Sequence, residues 1–216
     1  MSTILNDLRP EDLGFNSLQF PHYRPIQQEA IELATGSSRR FRGLALPTGA
    51  GKSLVAVSIH RLTGWRTAGL TSTKGLQEQY LSDFLKHGMR DIRGKQNYYC
   101  RDYKVQCGDG KRAGCKSLCA YDNARDQARN SSLLVTNYAY WLRARRSALE
   151  WTDKETGETI NPVECLVLDE AHNAVEELAG HLAIRLYEKE LLEMLGWDDA
   201  AELHDDLAKW IKAAEG

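Results

Sequence analysis

Leu44-Ala45-Leu46-Pro47-Thr48-Gly49-Ala50-Gly51-Lys52-Ser53 is the stretch on which the reading of this chain turns. A short apolar run ends in a proline and two glycines, then passes into Leu54-Val55-Ala56-Val57-Ser58-Ile59. That order predicts a strand over about 42–46, a tight loop, and a helix running to about Thr63. Gly49 and Gly51 can take backbone angles that other residues avoid, so successive N–H groups can turn inward around a phosphate chain. The helix start beyond them favours an anion. In such a loop Thr48, Gly49, Ala50 and Gly51 cradle phosphate, Lys52 reaches the β- and γ-phosphates, and the Ser53 hydroxyl ligates Mg²⁺. The strict pattern asks for glycine where this chain has Leu46. A glycine turn followed by a chance Gly-Lys-Ser is the alternative, and the strand before and helix after argue against it.

Outward from the loop, apolar strands alternate with amphipathic helices. Breakers at Pro10, Gly14 and Pro21 leave 1–22 irregular. A helix is expected from Tyr23 through Ala34, a strand over Thr67–Thr73, and a helix over Lys74–Leu85 with Leu76, Tyr80, Leu81 and Phe84 on one face. From Gly88 to Cys119 the periodicity vanishes. It returns as a helix over Tyr121–Asn130, a strand over Ser132–Thr136, a helix from Tyr138, a polar turn at 153–158 and a buried strand over Val163–Leu168. Residues 174–216 read as helical. The alternation predicts an α/β fold with a parallel sheet.

Asp169 and Glu170 follow the last strand, at the edge where parallel α/β sheets bind ligands. Asp169 is suited to hold Mg²⁺ through water, and Glu170 to orient and deprotonate the water that attacks the γ-phosphate. Two acids capping the next helix are the plainer alternative; the upstream loop, which supplies the other half of a site, favours NTP hydrolysis.

Composition narrows the partners. With 28 basic and 30 acidic residues the net charge is −2, so any nucleic-acid surface is local. Lys111, Arg112 and Lys116, and Arg143, Arg145 and Arg146, are the clusters to consider. No apolar run nears the ~20 residues of a membrane span, and Met1–Asp7 has no signal-peptide character. A cytoplasmic protein is expected.

Four of five cysteines, Cys100, Cys107, Cys115 and Cys119, are separated by six, seven and three intervening residues within the stretch that cannot build an ordinary core. Four thiolates suit either tetrahedral zinc or a 4Fe–4S cluster. Zinc ligands commonly come in pairs two to four residues apart, as only Cys115 and Cys119 do. Spacing alone leaves both metals open. Cys165, inside an apolar run, reads as a small core residue.

Asp169-Glu170-Ala171-His172 resembles the DEAH box of superfamily 2 helicases. Arg24-Pro25-Ile26-Gln27 resembles their upstream glutamine motif, which implies that Gln27 reads the adenine edge. Thr71-Ser72-Thr73-Lys74 resembles the motif that touches single-stranded DNA. Gly94–Cys100 and Cys119–Ala128 resemble the approach to and exit from the cluster of XPD/DinG-like iron–sulphur helicases. Val135–Leu142 is similar to the segment that follows it there. The phosphate loop, the single-strand motif, the cluster, the Val135–Leu142 segment and the DEAH box keep the family's order, and the resemblance covers roughly residues 23–173.

The resemblance implies a RecA-like P-loop NTPase lobe (23–87 and 121–173) after a lead-in of 1–22. It implies a 4Fe–4S insertion at 88–120 and the start of a helical, arch-like segment at 174–216. Lys52, Asp169 and Glu170 become the catalytic residues, with Gln27, Thr48–Ser53, Asp169 and His172 on the nucleotide and Ser53 and Asp169 on Mg²⁺. Cys100, Cys107, Cys115 and Cys119 become the cluster ligands. Near them, Lys111, Arg112 and Lys116 would meet phosphates, and Tyr98, Tyr99, Tyr103 and Tyr121 either stack on bases or pack. The implied activity is ATP-driven 5′→3′ unwinding in DNA metabolism such as repair. Its partners are single-stranded and forked DNA and a second RecA-like lobe, in this or another chain, with no membrane and a nucleoid-associated location. Nothing after His172 resembles that second lobe, so the chain reads as the front part of a longer helicase. A metal-stabilised nucleic-acid-binding module that uses ATP as a switch is the other reading.

Overall fold

The computed structural model describes residues 7–115, 119–144, 149–152 and 155–183, apart from the side chains of 111, 112, 151 and 152. The chain falls into two compact units, Met1–His181 and Leu182–Gly216. Of the helical stretch expected over 174–216, residues 184–216 lie outside the described residues, as do Lys116, Arg145 and Arg146.

The first unit opens with a short 3-10 turn at Pro10–Leu13 and helix α1 (Pro25–Gly36). Helix α2 (Lys52–Thr63) follows the phosphate-type loop and stops at Gly64, which takes a left-handed φ of 71°. Strand β1 (Thr67–Thr71) then leads to α3 (Lys74–Phe84), capped by the Thr73 side chain accepting from the Leu76 N–H. Small elements fill the cysteine-rich region: β2 (Arg90–Asp91), the β3 (Tyr99–Cys100) and β4 (Val105–Gln106) hairpin, and α4 (Cys107–Arg112). Helix α5 (Ala120–Asn130), β5 (Leu133–Asn137) and α6 (Tyr138–Ala144) come next. The β6 (Trp151–Thr152) and β7 (Thr159–Ile160) hairpin then leads to β8 (Cys165–Leu168) and α7 (His172–Leu182).

Four strands form a parallel sheet in the order β2-β5-β1-β8. Successive side chains of a strand point to opposite faces, and β5 shows the result. Leu133 and Val135 join a core with Ile31 of α1, Val55 and Val57 of α2, and Phe84 of α3. Leu134, between them, joins a second core with Ala68, Ile92, Tyr121 of α5 and Tyr140 of α6. Helices on both faces explain why Leu133, Leu134 and Val135 follow one another without a polar residue between them.

Two strand expectations are corrected. Residues 42–46 are not a strand, because none of the described residues pairs with them. Leu44 and Leu46 alternate inward as a strand would, yet only pack at the margin of the first core. The strand ending at Leu168 is not buried either. It is a sheet edge, with Leu166 42% and Leu168 43% exposed and Cys165 half-buried. Strand pairing needs a neighbour, and an apolar run in sequence does not reveal whether one is present.

Arg66, just before β1, is 4% exposed. Its guanidinium donates to the carbonyls of Ser131, Asn161, Ala128, Arg129 and Leu149, tying the end of α5 and two connecting segments to the start of the sheet. Arg66→Met fills the space but strands those acceptors. A loss of about 3 kcal/mol or more is expected, read as a lower urea midpoint at unchanged slope.

Candidate functional site

The loop before α2 has the backbone that the glycines foretell. Gly49 (φ 76°) and Gly51 (φ 77°) are both left-handed, and Gly51 caps α2, with the Leu54 N–H donating to its carbonyl at 3.0 Å. A Cβ on Gly51 would lie 2.4 Å from Gln27 Nε2, so conformation and space both demand glycine. Two side chains from the α1 region brace the loop from below. Arg24 Nη1 donates to the Gly49 carbonyl at 2.6 Å, and Gln27 Nε2 donates to the Ala50 carbonyl at 2.7 Å. Gln27 Oε1 accepts from the Arg24 N–H at 2.8 Å. Gln27 is therefore buried, with both ends of its amide engaged. Thr48 and Gly49 are exposed, and Ser53 is half-buried on the first turn of α2.

Strand β8 delivers the acidic pair to the same place. The Asp169 N–H donates to the Leu70 carbonyl at 2.9 Å, extending the ladder one residue past the strand. Tyr80 of α3 donates to Asp169 Oδ2 at 3.2 Å, and Tyr138 of α6 donates to the Asp169 carbonyl at 2.9 Å. Glu170 then takes a positive φ of 53°, an uncommon state for a non-glycine residue. Its Oε1 accepts from Lys52 Nζ at 2.7 Å. His172 Nδ1 stands 3.5 Å from Glu170 Oε2, with its side chain 72% exposed.

The Lys52–Glu170 contact joins residues 118 apart. The ammonium's hydrogen bond and charge hold the Glu170 carboxyl below the usual carboxylate range. Tyr138 is pushed up to about 12, first by burial and then by the Asp169 and Glu170 charges. Tyr80 is raised further by burial and by Asp169, so both phenols stay protonated donors.

The sequence expectation brought Lys52, Ser53, Asp169, Glu170 and His172 to one site, and the structure places Lys52 and the Asp169–His172 turn together. It adds Arg24, Tyr80 and Tyr138, which motif reading passed over. A buried tyrosine hydroxyl usually finds a partner, and that is the one sequence signal by which Tyr80, on the apolar face of its helix, could have been suspected.

Four of the cysteines form two close pairs. Cys100 and Cys115 sulphurs are 3.8 Å apart, and those of Cys107 and Cys119 are 3.2 Å apart. Both separations far exceed a disulfide bond of about 2.05 Å. Cys100, Cys115 and Cys119 line a cleft of about 440 Å³ together with Tyr99, Asp102 and Asp126. Gly110 closes on Cys100: a Cβ there would meet its sulphur at 2.7 Å. Among the described residues no three metal-ligating side chains converge on one point. The donor set, four thiols within 20 residues, fits a thiolate-bound metal group in chemistry and number. Tyr121 is buried, in edge contact with Tyr98 and bonded to Tyr140, whereas Tyr99 (57%) and Tyr103 (46%) remain exposed.

A family model described as "Type III restriction enzyme, res subunit" matches residues 21–196. No curated protein matches the chain. No helix among the described residues is long and apolar enough to cross a membrane.

Removing the ammonium in Lys52→Ala should let the Glu170 carboxyl rise back toward the ordinary glutamate range. In the wild type the pair's stabilisation is complete above that ordinary value and is lost as pH falls through the lowered one. Carboxyl-carbon NMR titration of the two proteins reads the difference, and superimposable Glu170 curves would count against the ion pair.

Proposed function

The chain belongs to the family of the type III restriction enzyme res subunit, the N-terminal lobe of superfamily 2 helicases, and from that premise we propose that its ATP-driven activity acts on DNA through a metal-bearing insertion. Membership carries an ATP-dependent, helicase-type action on nucleic acid. The observation that supports this site as the motor is the direct pairing of Lys52 with Glu170. It places the phosphate-binding loop and the acidic turn within one side-chain contact.

Thr48 to Gly51 enclose the phosphates, and Lys52 leaves Glu170 for the β- and γ-phosphate oxygens when nucleotide enters. That exchange frees Glu170 as the base that orients and deprotonates the attacking water, so the base is held on a cation until substrate displaces it. Ser53 and Asp169, the latter through water, hold Mg²⁺, which when bound neutralises charge developing on the phosphates. Gln27 takes the adenine edge by exchanging its bond to Ala50, which links base recognition to loop conformation. His172, whose Nδ1 stands 3.5 Å from Glu170 Oε2, passes the nucleotide state on to neighbouring motifs.

Residues 88–120 form an iron–sulphur insertion of the XPD/DinG-like kind, with Cys100, Cys107, Cys115 and Cys119 as ligands to a 4Fe–4S group. Residues 174–216 begin an arch-like segment. Single-stranded DNA crosses the Thr71–Lys74 edge, the motor travels 5′→3′ along it by working against a second RecA-like lobe, and forked DNA opens at the insertion. Exposed Tyr99 and Tyr103 are the tyrosines available to stack on bases there.

Lys52→Ala in the full-length protein should abolish DNA-stimulated ATP hydrolysis; retained function would favour a nucleic-acid-binding module that uses ATP only as a switch. Protein purified without oxygen should carry about four irons per chain, with a broad brown absorbance. One colourless zinc would detach the insertion from the iron–sulphur reading and leave the motor site untouched.

A further inference from the structure

Asp169 is held at three points, and two of them are tyrosine hydroxyls from different helices. Its N–H is pinned to Leu70 on β1, its carbonyl accepts from Tyr138, and its Oδ2 accepts from Tyr80. Tyr80 is 4% and Tyr138 3% exposed, so packing fixes both phenols before any ligand arrives. A carboxylate free to rotate would present either oxygen in several directions. With Oδ2 tethered, Oδ1 is the oxygen left for a metal-bound water, and its direction is set. Tyr80 lies two turns into α3, whose first turn follows the Thr71–Lys74 edge, and Tyr138 opens α6 directly after β5.

We propose that Tyr80, assisted by Tyr138, is the positioning residue for Asp169 in magnesium-dependent nucleotide binding. The role rests on the magnesium function assigned to Asp169 above. Loss of a hydrogen bond behind a metal ligand commonly weakens metal affinity by 10–100-fold, and a water-mediated site belongs at the low end. The Tyr80 hydroxyl donates to Asp169, so the effect is expected in the metal-dependent part of binding.

The test is fluorescence anisotropy of a fluorescent ATP analogue on the whole chain, in EDTA and across a magnesium titration, with melting temperature as a folding control. Tyr80→Phe should leave affinity in EDTA unchanged and raise the magnesium needed for half-maximal tightening by roughly 10-fold. Tyr138→Phe should act in the same direction, and it carries the test if Tyr80→Phe does not fold. Tyr23→Phe removes a comparable buried hydroxyl, bonded to Ser58 at 2.7 Å, and should leave the magnesium dependence alone. Wild-type magnesium dependence in both folded Tyr80 and Tyr138 variants overturns the proposal. Asp169→Asn separates the two levels. If it abolishes the magnesium effect while the tyrosine variants do not, only the positioning role falls. If it changes nothing, the assignment of Asp169 falls and the positioning role with it.

Discussion

Strand β1 has a hydrogen-bonded neighbour on each side, and that parallel ladder places the acidic turn and the two tyrosines at the candidate site. Thr71 pairs with Asn137 at one flank, and Leu70 pairs with Leu168 at the other. Because the strands run the same way, their C-terminal ends reach one edge together, which is where parallel sheets bind ligands. Asp169 and Glu170 leave β8 there, Tyr138 leaves β5 there, and α3 begins there after β1. Slipping β8 by one residue would turn Asp169 to the opposite face and take it away from Tyr80. The Asp169 N–H bond to Leu70 guards against that slip.

The polar groups of the site pair with one another. The loop carbonyls are occupied by Arg24 and Gln27, Lys52 by Glu170, and the Asp169 carboxylate by Tyr80. Such internal pairs order the site; in the proposed mechanism nucleotide takes over Lys52 and Gln27, while the Tyr80–Asp169 bond persists. The positive φ of Glu170 belongs to this arrangement, since the turn that bends its side chain back to Lys52 holds a conformation ordinary residues avoid.

The helices were legible because each carries local evidence. Pro25 begins α1, Gly64 ends α2, Thr73 caps α3, and apolar spacing marks the buried faces. The α3 face shows the limit of such reading. Gln77 is fully buried there with Tyr80 and Phe84, whereas Leu76 and Leu81 are only half-buried. Gln77 Nε2 reaches the Ile92 carbonyl at 3.1 Å, a partner fifteen residues away that hydrophobic periodicity cannot anticipate. The same reason defeats the 42–46 strand. Its alternation is real, but a strand exists only with a partner, and the partner is not a local property.

What the sequence determined by itself is chemistry bound to short segments. Glycine freedom at Gly49 and Gly51 ahead of Lys52 and Ser53, and two acids after an apolar run, are legible within a few residues, because backbone freedom and side-chain type are local. What only the tertiary structure decided is which groups face one another. Lys52 meets Glu170 across 118 residues, Tyr80 meets Asp169 across 89, and Arg66 gathers carbonyls from five distant residues. Those meetings follow from strand order and register, which arise when two faces of one sheet are buried at once and are written in no single stretch of the chain.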